Sequence, residues 1–137
     1  GPDGTDLKEG LSLQPALEEQ DRIFKALSER YHFKAIGRHV RYVHSGSENS
    51  LKAYLCYDGK TYESKTFRFN ILDRVGGGDA FSSGLIYAMM EQMSPDEIVN
   101  FAVSSSVIKH TIRGDFNITD DKQSILRLMN QEYEIKR

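Results

Sequence analysis

The chain has 137 residues, 39% of them hydrophobic, and a formal net charge of -2 at pH 7, which is enough apolar material for one domain with a core. Its 18 basic residues are scattered, which argues against nucleic-acid binding, and no apolar run reaches the ~20 residues that span a bilayer. A single cysteine, Cys56, cannot form an internal disulfide, which suits a reducing, cytoplasmic setting.

Residues 1–14 read as an N-terminal loop, with Gly1-Pro2 as a scar of tag removal, and the folded portion runs over 15–137. From Pro15 to about Tyr31, Leu17, Ile23, Phe24 and Leu27 give an amphipathic helix with Pro15 in its first turn. FKAIGRHV is expected as a short buried strand, and HSGSENS, His44 to Ser50, as a polar loop. Leu51, Ala53, Leu55 and Tyr57 then alternate with other residues, as do Phe67, Phe69 and Ile71. Asp58-Gly59 between the two runs signals a hairpin turn, so one antiparallel hairpin is expected. Three helical segments follow: Ala80 to about Met93, SPDEIVNFAVSSSVIKHTI and DDKQSILRLMNQEYEIK. Ser94, Pro95 and Glu97 predict a capping box, and Asp120 or Asp121 is expected to cap the last helix. A sheet covered by helices, of the α/β or α+β class, follows from this order.

Between the hairpin and the helices stands DRVGGGDAF. Gly76, Gly77 and Gly78 can take positive φ and place no side chain in a ligand's way. The helix that follows aims unsatisfied backbone N–H groups at this turn, and the combination makes an anion hole, typically for phosphate. Asp79 would repel a bound phosphate, but it makes sense beside the group that attacks one. A carboxylate there orients an alcohol and accepts its proton while the anion hole holds the developing charge. The competing explanation is a tight turn with Asp79 as a helix cap. GKT at Gly59–Thr61 is no P-loop, because Tyr54 stands where that motif needs glycine. GGGDAFSSG does not fit a dinucleotide fingerprint, because its spacing is wrong.

The longer string DRVGGGDAFSSG resembles the C-terminal signature of the ribokinase-like (PfkB) carbohydrate kinases, D-T-x-G-A-G-D-x-F-x-x-G. Asp73, Gly76, Gly78, Asp79, Phe81 and Gly84 match it, while Gly77 replaces alanine and Arg74 replaces threonine. With FAVSSSVIKHTIRGDFN downstream, the chain looks most like the 2-dehydro-3-deoxygluconate kinases of that family, from about Pro15 onward. The resemblance implies the C-terminal part of a three-layer sandwich, with a sheet flanked by helices. It implies ATP-dependent phosphorylation of 2-dehydro-3-deoxy-D-gluconate to its 6-phosphate, with Asp79 as base and Gly76, Gly77 and Gly78 as the anion hole. Asp73 matches a position near a monovalent cation such as K⁺, with carbonyls around Lys109 and Gly114, and Val103 and Ser106 fall where the family cradles adenine. Ser45 to Ser50, with Ser47 and Asn49, is expected along the nucleotide, with Arg38 or Arg41 near the phosphates. Arg74 and His110 are the candidates for a substrate carboxylate.

The four histidines and Cys56 show no metal-ligand spacing, so Mg²⁺ is expected to arrive with ATP. The resemblance is to the C-terminal half alone, so the N-terminal half of the enzyme is an expected partner and little activity is expected without it. A parallel sheet cut through its middle would expose a strand edge, with self-association or a remodelled sheet as the outcome. Two alternatives stay open: a kinase for another sugar such as fructose or ribose, and a non-catalytic nucleotide-binding or assembly module.

Overall fold

Strand β2 (Glu48–Tyr57) runs through the middle of the sheet because both of its faces are apolar. Leu51, Ala53 and Leu55 are buried on one side, Tyr54 and Cys56 on the other. The computed structural model describes residues 17–31, 34–111 and 115–131. Along one edge of β2 lies β1 (Ala35–Val43); along the other lie β3 (Lys60–Glu63) and then β4 (Phe67–Asn70). Tyr54 stands opposite Glu63, and Leu51 opposite Phe67.

The single expected hairpin is therefore two pairings on one long strand. Asp58 (φ 51°) and Gly59 (φ 79°) make the tight turn into β3, where two positive φ values suit the twist of the flanking strands. Between β3 and β4 the ladder is bridged by side chains: Ser64 Oγ accepts from the Ala53 N–H at 2.8 Å, and Asn100 Oδ1 accepts from the Lys65 N–H at 3.0 Å. The expected loop shrinks as well, since Glu48 to Ser50 are already strand. Every strand pair among the described residues is antiparallel, so the cut parallel sheet expected from the sequence is corrected here. β1 has no second strand neighbour among the described residues.

Helix α1 (Leu17–Tyr31) covers one face of the sheet, with Phe24 packed on Val40, Tyr42, Tyr54 and Cys56. The start expected at Pro15 lies outside the described residues. Helices α2 (Gly77–Met90), α3 (Pro95–His110) and α4 (Ile118–Met129) cover the other face and bury the larger core. The chain is thus a three-layer arrangement of helix, sheet and helices. The predicted capping box at Ser94 is present: Glu97 N–H donates to Ser94 Oγ at 3.2 Å and Ser94 N–H to Glu97 Oε1 at 2.9 Å. The cap of α4 is Asn117, not Asp120 or Asp121: its Oδ1 accepts from the N–H groups of Thr119 and Asp120. At Gly84 an added Cβ would come within 2.8 Å of Ser105 Cβ and 3.2 Å of Ala102 Cα, so α2 and α3 cross with backbones close together.

Candidate active site

The segment from β4 to α2 is fixed at both ends before it reaches the glycines. The Ile71 N–H donates to the Ser47 carbonyl at 2.7 Å, and the Leu72 and Asp73 N–H groups both donate to the His110 carbonyl. Asp73 Oδ1 then accepts from the Val75 N–H at 2.9 Å, a local turn of the kind aspartate favours. Gly76 follows in the left-handed region (φ 87°, ψ 4°) as the N-cap of α2, and no side chain caps that end. The N-terminus of α2 therefore offers its first N–H groups and the positive end of its dipole. Beside it lies a cleft of about 680 Å³ whose lining includes Asp73, Gly76, Asp79, Lys109 and Asp115. Asp79 sits in the first turn of α2, exposed to this cleft.

Three packing relations hold the turn from beneath. Ser106 Oγ donates to the Gly77 carbonyl at 2.9 Å. His110, fully buried, packs so closely under Gly77 that a Cβ there would lie 2.8 Å from His110 Nε2. Lys109 runs under Gly76, where a Cβ would meet Lys109 Cε at 3.2 Å, and its Nζ reaches Asp73 Oδ2 at 3.4 Å. Gly78 differs from both: its backbone needs no positive φ, and a Cβ on it would meet nothing within 4 Å among the described residues.

His110 has both ring nitrogens engaged, Nδ1 at 2.6 Å from the Ser106 carbonyl and Nε2 at 2.9 Å from Arg41 Nη2. A carbonyl only accepts and a guanidinium only donates, so the ring is neutral with its proton on Nδ1. Burial holds its pKa below the usual histidine value, against the opposing pull of the Ser106 carbonyl, and Arg41 adds to the lowering. Arg41 is itself pushed down by burial and by the neighbouring Arg74.

The glycine turn, Asp73 and Asp79 thus come together at one cleft. The other expected positions do not all join them. Ser106 and Val103 are fully buried in α3, and Ser106 positions the turn instead of facing a ligand. His110 lies behind the turn, out of reach of a substrate carboxylate. Arg74 is exposed beside the turn, with Nη2 3.4 Å from the Gly46 carbonyl. Ser47 is exposed in the same loop, whereas Asn49 is fully buried, with neither side-chain nitrogen nor oxygen partnered among the described residues. Arg38 points to the opposite face, toward Gln20 at 3.4 Å, while Arg41 supports the turn through His110. Gly114 lies outside the described residues. Asp115, Phe116 and Asn117 also line the cleft; they close the FAVSSSVIKHTIRGDFN string quoted for the resemblance, but no lining role was expected of them. A second hollow, about 480 Å³, lies between α1 and the β2–β3 turn, on the face away from the glycines.

Comparison with known proteins places this geometry. The profile of the pfkB family carbohydrate kinases matches residues 15–120. A 5-dehydro-2-deoxygluconokinase of Clostridium beijerinckii is 29% identical over 100 residues, covering 71% of this chain and 29% of that protein. The crystal structure of a 2-dehydro-3-deoxygluconokinase from Thermotoga maritima superposes with a TM-score of 0.74 at 29% identity, covering 81% of this chain and 35% of the other. A PfkB family carbohydrate kinase from Listeria grayi superposes with a TM-score of 0.65 at 33% identity, over 69% of this chain and 30% of the other. The chain therefore spans about a third of the length of the relatives it matches. Over that span, the uncapped glycine turn and the aspartate beside it are built on a chain that belongs to the pfkB family of carbohydrate kinases.

Proposed function

We propose that this chain carries the phosphate-binding turn and the proton acceptor of an ATP-dependent kinase for a sugar acid, with 2-dehydro-3-deoxy-D-gluconate as substrate and its 6-phosphate as product. The observation that carries the reading is the contrast within the three glycines. Gly76 is required by its φ and by Lys109, and Gly77 by His110, but none of the described residues requires Gly78. An exposed helical glycine costs about 0.5–1 kcal/mol relative to alanine. A ligand pressed against the turn explains why no side chain stands there.

In this reading the backbone N–H groups at the start of α2 hold the transferred phosphoryl group as charge develops on its oxygens. Asp79 receives the proton of the sugar's C6 hydroxyl as that oxygen bonds to the γ-phosphorus, and the bond to ADP breaks on the opposite side. Mg²⁺ accompanies ATP, held mostly by phosphates and water. The substrate class rests on the two kinds of relative, both named for kinases acting on dehydro-deoxy-gluconates. Arg74, exposed beside the turn, is the residue we propose for a substrate carboxylate or a phosphate, and buried His110 is not.

Phosphoryl transfer depends on positioning both substrates in a dry site, and the relatives are more than twice as long as this chain. The remainder of such an enzyme supplies the sugar site, and the unpaired edge of β1 is where its sheet would continue, or where a second copy would pair. No helix among the described residues is long and apolar enough to cross a membrane, and a cytoplasmic setting is part of the proposal.

The test is ATP consumption with 2-dehydro-3-deoxygluconate and Mg²⁺, comparing this chain with a full-length protein that contains it. Turnover is expected in the full-length protein and little or none in this chain. Nucleotide binding with no turnover of any sugar in either would replace the kinase by a binding module.

A further inference from the structure

Among the described residues, those beside Asp73 do not fit the monovalent cation that the family resemblance places there. The space is taken by Lys109. Its side chain is 6% exposed, its methylenes pass under Gly76, and its ammonium lies 3.4 Å from Asp73 Oδ2. The other carboxylate oxygen of Asp73 is engaged by the Val75 N–H. A cation from solution would need several oxygen ligands at this point, and it would also meet a positive charge already fixed there.

We infer that Lys109 stands permanently in place of the monovalent cation, so that the turn is organised by a side chain of the protein and is indifferent to K⁺. The charge balance is the same in either arrangement, one positive charge against the Asp73 carboxylate. A buried ammonium is tolerable only when paired, and Asp73 is the partner. The position also matters. Lys109 borders the same cleft as Gly76 and Asp79, so its charge adds to the field of the α2 N-terminus where an anion would sit. Its neighbour His110 supports Gly77 in the same way, so two consecutive residues at the end of α3 carry two consecutive glycines. Lys109 is a positioning residue in this account. The functional meaning rests on the phosphate-binding reading of the turn, but the cation claim is tested without nucleotide or sugar.

The test is the thermal midpoint of the chain in KCl, NaCl and tetramethylammonium chloride at equal ionic strength, for wild type and Lys109→Met. Wild type is expected to unfold at the same temperature in all three. Lys109→Met is expected to fall by roughly 3–6 °C in tetramethylammonium and to recover saturably in K⁺. A saturable rise with K⁺ in wild type overturns the inference, as does a Lys109→Met variant equally destabilised in all three salts. If Lys109→Met does not fold in any salt, a thallium-205 resonance titration of wild type decides: no saturable uptake of thallium(I) supports the inference, and saturable uptake overturns it. A kinase assay that fails leaves these readouts untouched.

Discussion

Ser106 donates its hydroxyl to the carbonyl oxygen of Gly77 at 2.9 Å, so the middle of α3 holds the first turn of α2 through a fully buried hydrogen bond. Its loss in Ser106→Ala is expected to lower stability by about 1 kcal/mol. The same change loosens the turn, so ATP affinity should fall with it. Urea unfolding and an ATP titration on the same variant check both. A variant with wild-type ATP affinity would leave Ser106 as core packing alone.

Gly77 and Gly78 are neighbours in one helical turn with opposite surroundings. Gly77→Ala drives a methyl group against His110, which is held at both ring nitrogens and has little room to yield. It should cost about 1–3 kcal/mol. Gly78→Ala meets nothing within 4 Å among the described residues and should raise stability by about 0.5–1 kcal/mol. If phosphate occupies the space above Gly78, that same variant should bind ATP about tenfold more weakly, the equivalent of ~1.4 kcal/mol. A stabilised Gly78→Ala protein with undiminished ATP affinity would contradict the anion-hole reading.

The three glycines were legible as a turn entering a helix, because glycine between a strand and a helix marks a tight turn, with an anion hole and a helix cap both open as its purpose. Depth was not legible. Ser106 and His110 carry polar groups on a segment of mixed pattern, and sequence alone could not say that their hydrogen bonds are spent on Gly77, Ser106 and Arg41. The strand pairing was half legible. Asp58-Gly59 announced a turn by its chemistry, but the return of β4 to β2 passes through Ser64, bonded to Ala53, and Lys65, bonded to Asn100 on α3, which are tertiary contacts. At α4, Asn117 took the cap from the aspartates because its side chain reaches the Thr119 and Asp120 N–H groups. The aspartates sit in the first turn instead, where their charge suits the helix dipole.

Two histidines, His39 on β1 against Phe81 of α2 and His110 at the end of α3, make stability depend on pH. Burial, then Arg41, lowers the His39 pKa to about 4 from 6.5, and burial lowers that of His110. Unfolded, both take up protons near 6.5, while the folded protein refuses them until the pH is lower. The unfolded state therefore binds more protons across that window. Stability is complete above about pH 6.5 and declines as pH falls, with His39 contributing a loss on the order of 3 kcal/mol by pH 4. Urea unfolding at about pH 7, 6 and 5 reads the slope in a range where most carboxylates stay ionised. His39→Gln should flatten it; an unchanged slope would mean that His39 titrates alike in both states.

Asp79→Asn separates catalysis from binding. The side chain is exposed and the α2 N-terminus has no side-chain cap, so the fold loses only the interaction of a carboxylate with the helix dipole, about 0.3–1 kcal/mol. ATP affinity should hold or rise slightly, because a negative charge near the phosphates has gone. Turnover of 2-dehydro-3-deoxygluconate by the full-length enzyme should fall at least 10²–10⁴-fold, the range roughly assigned to a positioned general base. Retained turnover would remove Asp79 from the proton path. Lost turnover together with lost ATP binding would point to a structural role. Only the pattern of full binding with abolished turnover identifies a proton acceptor at that position, because neither a cap nor a phosphate ligand would produce it.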